Sequence, residues 1–348
     1  MRLGLNLGYW SGAETDALAL AQEADRLGYA VVWAAEAYGS DVPTVLAWVA
    51  ARTQRIDVGA AVMQIPARTP AMTAMTAATL DALSGGRFRL GLGVSGPQVS
   101  EGWHGVAFDH PLQRTREYVD IVRSALRRER VSYKGEHYVL PLPDGPGKAL
   151  QLTVHPVREH IPLYLAAVGP RNVALAGEIA DGWLAIFFSV DHGPQSIAAL
   201  AAAGRKAGRD LGEFDVAASM PLAVGDDLAA AADLIRGYAA LYVGGMGSRD
   251  SNFYNALARR MGYEQAAKAV QDAYLARDYP GAAAAVPQQF VDDTSLIGPV
   301  ERIAERMCAL AQAGVTTLNM IPFAASAQAR LADLRIAATA LELSGAAS

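Results

Sequence analysis

Cysteine is almost missing from this chain: Cys308 stands alone among 348 residues. That excludes an intrachain disulfide framework and a cysteine-rich metal site. Cys308 falls in a helical apolar pattern with Ile303, Met307 and Leu310, which reads as a buried structural thiol and not as a nucleophile. An excess of one charge is missing too. The 30 Lys and Arg face 35 Asp and Glu, and the net charge of -5 comes with no basic stripe and no run of like sign. Neither a nucleic-acid partner nor a charged tail is expected. No stretch of ~20 apolar residues could span a bilayer, because Gly, Pro or charge interrupts the alanine-rich runs. The opening residues turn polar too soon for a signal peptide. The expectation is a cytoplasmic protein with no membrane partner. Strong catalytic signatures are also lacking. There is no Gly-x-Ser-x-Gly elbow and no Walker loop. His104, His110, His137, His155, His160 and His192 are scattered without a His-x-x-x-His pair, so no metal ligand set is expected.

What the chain has is alternation. About half of it is apolar (52%), enough for a large core. Apolar runs at 2–7, 29–34, 56–63 and 88–94 read as strands. Helical periodicity fills 13–27, 43–52, 70–83 and 111–128 between and after them. Asp41 and Pro43 open the second helix, and Gly28 stops the first. The strands are apolar end to end, which fits a parallel sheet covered on both faces. Residues 131–154, rich in Pro and Gly, read as a hairpin or excursion. The alternation then resumes, with strands at 161–167, 182–188, 214–224 and 315–321 and helices at 171–179, 195–208, 228–243, 299–313 and 328–343. Residues 244–287 hold further helical pieces, 252–261 and 263–276.

Eight strands with outside connections predict one (β/α)8 barrel over residues 1–348, with an excursion near 131–154 and a helical insertion near 244–287. An open eight-stranded sheet is the alternative. In a barrel the working groups sit at the C-terminal strand ends. That rule selects Tyr9 and Trp10, Glu36 to Tyr38, Gln64 and Pro66, Ser95 to Gln98, Val168 to Asn172, Phe188 and Ser189, Met220 and Pro221, and Asn319 and Pro322.

Two patterns stand out among these. Gly91 and Gly93 leave one face of a strand bare, which requires either a tight barrel interior or a close ligand. Gly91-Leu92-Gly93-Val94-Ser95-Gly96 matches a dinucleotide fingerprint by letters. Its first glycine lies inside the strand, however, and the next helix is expected only near Pro111, so that reading is rejected. The second pattern, Ala167-Val168-Gly169-Pro170-Arg171-Asn172, runs from a strand through a Gly-Pro turn into a helix. It is either an anion site built on helix N–H groups or an ordinary βα turn.

Ala35-Glu36-Ala37-Tyr38, Leu83-Ser84-Gly85-Gly86-Arg87, Leu90 to Pro97, Gly169 to Val173 and Ala180-Asp181-Gly182-Trp183, in that order, resemble the bacterial luciferase-like family. More narrowly they resemble its oxidoreductases that use the deazaflavin coenzyme F420. The resemblance implies a TIM barrel, a homodimer and a flavin-type ring at the strand ends. It implies a bulge with a non-prolyl cis peptide at Ala61-Val62 behind the ring. Val168, Gly169, Arg171 and Asn172 would hold the cofactor phosphate, and Glu36, Gln64, Ser95 and Gly96 would lie near the ring. The family's sugar-phosphate dehydrogenases carry a His and a Glu where this chain has Ala37 and Gly96. That departure points to a reductase delivering hydride to an activated C=C, C=N or C=O bond of a small organic substrate. Glu36, Tyr38 and Tyr9 are the candidate proton donors, and Trp103-His104 could cap the pocket. An FMN-dependent monooxygenase of the same fold, and a barrel that binds F420 without turnover, are the alternatives.

Overall fold

The computed structural model describes residues 1–8, 10 and 16–347. Eight parallel strands close on themselves. β1 (Arg2–Asn6) pairs with β2 (Val31–Ala34), and β2 with β3 (Asp57–Ala60). β4 (Met63–Gln64) continues β3, and both lie against β5 (Phe88–Gly93). Outside the barrel, β6 (Tyr133–Lys134) and β7 (Val139–Leu140) form an antiparallel hairpin in the expected excursion. The barrel goes on through β8 (Leu163–Ala166), β9 (Gly182–Ile186) and β10 (Asp215–Val224). A short strand, β11 (Leu296–Gly298), adds to the far end of β10, and β12 (Thr317–Pro322) pairs with both β10 and β1. The β1–β12 pairing rules out the open sheet. β11 was not expected from the sequence, being three residues long and hidden between two helices.

The strand expected over 56–63 is two pieces, because the Ala61–Val62 peptide is cis and breaks the ladder. This break accounts for the bare face of β5. A Cβ on Gly91 would sit 1.8 Å from the Ala60 carbonyl oxygen, and one on Gly93 would sit 2.6 Å from Val62 Cγ2. Tight packing against the interrupted neighbour therefore already demands both glycines. A second expectation needs correcting. A short helix, Pro97–Gly102, follows Gly96 directly, ahead of the long helix Pro111–Leu126. The dinucleotide reading still fails, since Gly91 lies within β5 and the sheet is a closed barrel.

The motifs that carried the family resemblance do structural work. Gly85 closes the helix Pro70–Ser84 in the left-handed conformation, where glycine carries no Cβ penalty. Arg87 donates to the carbonyls of Ala50 (3.1 Å) and Ser84 (2.8 Å), tying that turn to its neighbours. Asp181 accepts from the Leu163 amide (2.9 Å), and Trp183 Nε1 donates to the Ala167 carbonyl (2.8 Å). The last bond pins the start of the Val168-Gly169 turn.

Three apolar clusters form the interior. The largest lies between the barrel and its surrounding helices. A small one fills the barrel itself, where Trp33 and Tyr164 pack edge to face with ring centroids 5.2 Å apart. A third lies where the insertion helices Phe253–Arg260 and Glu264–Leu275 meet the flanking helices Leu228–Ala240 and Gln288–Thr294. Among the described residues no helix is long and apolar enough to cross a membrane.

Candidate active site

The two ends of the barrel differ in chemistry. At the N-terminal end Arg89 bonds Asp57 (2.8 Å), Asp215 (3.3 Å) and the Tyr164 hydroxyl (3.1 Å), while Thr317 donates to Asp215 (2.7 Å). Burial alone would lower the Arg89 guanidinium, but Tyr164, Asp57 and Asp215 outweigh it and hold the group charged. Burial, and then Asp215, pushes the Tyr164 phenol well above its ordinary value. This end is a closed polar plug. Above it, Val31, Trp33, Tyr164, Leu184 and Ala217 form the buried cluster, with Ala61, Val62 and Ala166 resting on top.

Those three residues, together with Asn6, Ile186 and Ile321, are only half buried. Side chains alternate along a strand, so Asn6, Ala166, Ile186 and Ile321 are the last inward positions before the C-terminal mouth, and Ala61 and Val62 join them at the break between β3 and β4. Asn6 Nδ2 donates to Ser219 Oγ (3.2 Å) at the same level. The mouth therefore has a floor of uncharged side chains with a partly accessible upper face. Such a largely apolar floor suits an aromatic ring.

One rim of the mouth is braced by a carboxylate. Glu36, which follows β2, forms an ion pair with Arg68, Nη1 meeting Oε1 and Nη2 meeting Oε2 at 3.3 Å. Its oxygens also accept from the backbone amides of Gln64 (2.8 Å) and Val42 (3.3 Å). The Glu36 amide faces the Val62 carbonyl (3.4 Å). The carboxylate thus braces β4, and the Glu36 backbone holds the interrupted Ala61-Val62 segment. Tyr38, the second expected donor, is 59% exposed on the outer rim. Tyr9 lies outside the described residues.

Gln64 is buried (3% exposed) and links this brace to the next loop. Its Nε2 donates to the Glu36 carbonyl (2.9 Å), and its Oε1 lies 3.0 Å from His104 Nε2. With the amide oriented by that carbonyl, Oε1 is the acceptor, so His104 carries its proton on Nε2 in this bond. The adjoining Trp103 is 67% exposed and caps nothing here. Ser95 and Gly96 lead from β5 into this loop, Ser95 in the left-handed region at φ 62°.

Opposite, the helix Pro170–Ile179 begins after β8 with Gly169 as its N-cap and no side-chain cap. Its first turn carries Arg171 and Asn172, with Val168 and Gly169 half buried beside them. Uncapped N–H groups at a helix start favour an anion. Arg260 from the insertion reaches the same turn and donates to the Val168 carbonyl (3.1 Å). Phe187, following β9, packs against Tyr242 (5.7 Å between centroids), Tyr254 (6.3 Å) and Phe290 (5.5 Å), which docks the insertion beside the mouth. Phe253 of the insertion meets Phe108 of the His104 loop (6.3 Å).

The structure thus gathers Glu36, Ala61, Val62 and Gln64 on one side of the mouth and Val168 to Asn172 on another. Sequence reasoning missed Arg68, Asn6, Ser219 and Arg260. Asn6 and Ser219 lay in range of the strand-end rule, three residues and one residue before the positions it selected. Arg68 and Arg260 carried no local signal.

The luciferase-like monooxygenase family model matches residues 6–317. A protein of Mycobacterium tuberculosis, provisionally named a coenzyme F420-dependent oxidoreductase, is 44% identical over 334 residues, spanning 91% of this chain and 94% of that protein. The 5,10-methylenetetrahydromethanopterin reductase of Archaeoglobus fulgidus is 29% identical over 301 residues, 84% of this chain and 85% of the reductase. Among solved structures, the coenzyme F420-dependent tetrahydromethanopterin reductase of Methanopyrus kandleri superposes with a TM-score of 0.81 over 98% of both chains at 23% identity, a likeness of fold. With that span of match on a closed barrel, this chain belongs to the luciferase-like monooxygenase family.

Proposed function

We propose that the protein is a coenzyme F420-dependent oxidoreductase, working as a reductase on an activated C=C, C=N or C=O bond of a small organic substrate. The observation that carries this reading is the 44% identity, over nearly full length, to the mycobacterial protein named for that cofactor. The site fits the group. The mouth offers an uncharged, largely apolar floor, and the uncapped start of the helix Pro170–Ile179, with Arg171 and Arg260 beside it, suits an anionic tail.

Ala61 and Val62 would back the ring, with Gln64, Ser95 and Gly96 at its edge. Val168, Gly169, Arg171 and Asn172 would take the phosphate. When bound, the reduced deazaflavin supplies the hydride. The chain's part is to hold the acceptor carbon beside the ring with water excluded and to supply one proton. Glu36 then acts as a positioning residue, since its oxygens are committed to Arg68 and to two amides. His104, oriented by Gln64 through Nε2, joins Tyr38 among the side chains assigned to deliver that proton. The expected homodimer is part of the proposal. Leu83, Leu142, Leu150 and Val157 are all exposed large apolar side chains, of the kind a second copy would cover. Light scattering at the monomer mass would remove that part.

The test of function is binding followed by turnover. F420 is expected to quench protein fluorescence saturably and far more tightly than FMN, and reduced F420 to be oxidised with members of a panel of enones and imines. Tighter binding of FMN, with oxygen consumption on reduction, would instead favour the monooxygenase. Saturable F420 binding with no turnover on any member of the panel would favour the non-catalytic barrel.

A further inference from the structure

The histidines that look scattered in sequence do not stay scattered. His110, Glu136 and His137 each present a ligand atom, and these atoms all lie within 4.8 Å of one another. The two imidazole rings are 5.9 Å apart between centroids. His137 Nε2 is buried and has no hydrogen-bond partner among the described residues. A buried ring nitrogen without a partner is unfavourable unless something else occupies its lone pair or takes its proton.

Both halves of the cluster are held in place without each other. His110 is the N-cap of the helix Pro111–Leu126 and adopts φ 40°, ψ 49°. That left-handed turn breaks the direction of the loop just before the helix begins. Glu136 and His137 sit in the turn between β6 and β7. Glu117, on the same helix, accepts from the backbone amides of Glu136 (2.9 Å), His137 (2.8 Å) and Tyr138 (3.1 Å). A Cβ on Gly135 would fall 2.3 Å from Glu117 Oε2, so the turn is drawn tightly onto the helix. The Glu117 carboxylate thus fixes the backbone of the two hairpin ligands and remains outside the ligand set.

We propose that His110, Glu136 and His137 bind a divalent transition-metal ion, Zn²⁺ being the best match. Two imidazoles and one carboxylate are a borderline-soft donor set, which suits Zn²⁺ over Ca²⁺ or Mg²⁺. The fourth position would face solvent, since His110 and Glu136 are exposed. The ion would clip the β6–β7 hairpin to the start of the long helix, and so to the loop that carries His104 and Phe108 to the mouth. The ion would act on stability and loop order, not on the transferred electrons.

The test uses the full-length protein, freed of any affinity tag and treated with chelator, titrated with Zn²⁺ by calorimetry and followed by its melting temperature. One Zn²⁺ per chain is expected, together with a rise in melting temperature that chelator reverses. Glu136→Gln and His137→Ala should each weaken binding by more than the ~10–100-fold that outer partners of a metal site usually cost. His155→Ala, outside the cluster, should bind as wild type does. Glu136→Gln keeps the exposed side chain's shape, so its melting in chelator should match wild type, which separates lost binding from lost folding. No binding to wild type at micromolar Zn²⁺, or equal binding by Glu136→Gln and His137→Ala, would overturn the proposal.

Discussion

Arg68→Ala is expected to lower stability and activity together. The Arg68–Glu36 pair is largely buried, with side chains 14% and 8% exposed. Removing the cation leaves a buried carboxylate that still accepts two amide bonds but has lost its counter-charge. Breaking a buried pair in this way typically costs ~3–5 kcal/mol. Arg68 is not fully enclosed and also touches Asp41 at 3.3 Å, so the low end of that range applies. The Gln64 backbone hangs from the same carboxylate, and the Glu36 amide holds the Val62 carbonyl beside it. A displaced floor should reduce kcat/KM with reduced F420 by roughly 100-fold, the usual consequence of misplacing reacting groups by about an ångström. Glu36→Gln separates two roles. If Glu36 only braces, melting temperature and turnover fall together, and the double variant Glu36→Gln/Arg68→Met recovers part of the stability, because the two changes act on one interaction. If Glu36 is the proton source, turnover collapses while melting barely moves. Unaltered melting and kinetics in Arg68→Ala would remove the brace from the account altogether.

Asp333→Asn is expected to stabilise the protein at neutral pH and to do nothing in acid. Asp333 lies on the helix Ala327–Ser344 among buried residues, and its Oδ2 has no hydrogen-bond partner among the described residues. Burial pushes its carboxyl up to about 6. The folded-state value is therefore above the unfolded one near ~4, and the native state holds the proton more tightly. Below ~4 both states are protonated and burial of the group costs little. The cost builds as pH rises between the two values and is fully present above about 6. A separation of that size corresponds to ~3 kcal/mol; partial solvation of the carboxyl brings the expected gain from Asn down to ~2 kcal/mol. Asn and Asp have similar helix propensity, so the backbone contributes little to the difference. Denaturant melts of both proteins across pH 4 to 8 measure this directly. A difference that is constant with pH, or that grows toward acid, would rule out the buried charge as its origin. Activity should not change, since this helix packs against β12 and the first helix, away from the mouth.

Much of the barrel was written in local pattern. Eight apolar runs, each followed by a helical period or a break, specify a parallel sheet once crossovers are right-handed and neighbours in sequence pair in space; the β1–β12 pairing closes it. The strand-end rule then reached Glu36, Gln64 and Val168 to Asn172 without any knowledge of contacts. The cis peptide at Ala61-Val62 came from family resemblance; nothing in the residues Ala-Ala-Val signals it. The short strand β11 and the short helix Pro97–Gly102 escaped because three and six residues carry too little period to register.

By itself the sequence determined the class of the fold, the strand ends to which the working groups are assigned, and the glycines that keep β5 bare, because these follow from side-chain period and size along a single segment. Only the tertiary structure decided which side chains meet. Arg68 reaches Glu36 across 32 positions, His104 reaches Gln64 across 40, and Arg260 reaches Val168 across 92; His110 finds His137 because Glu117 pulls a hairpin turn onto a helix. No local period encodes such meetings. They depend on how strand register and loop docking bring distant segments together, and that is fixed when the barrel closes.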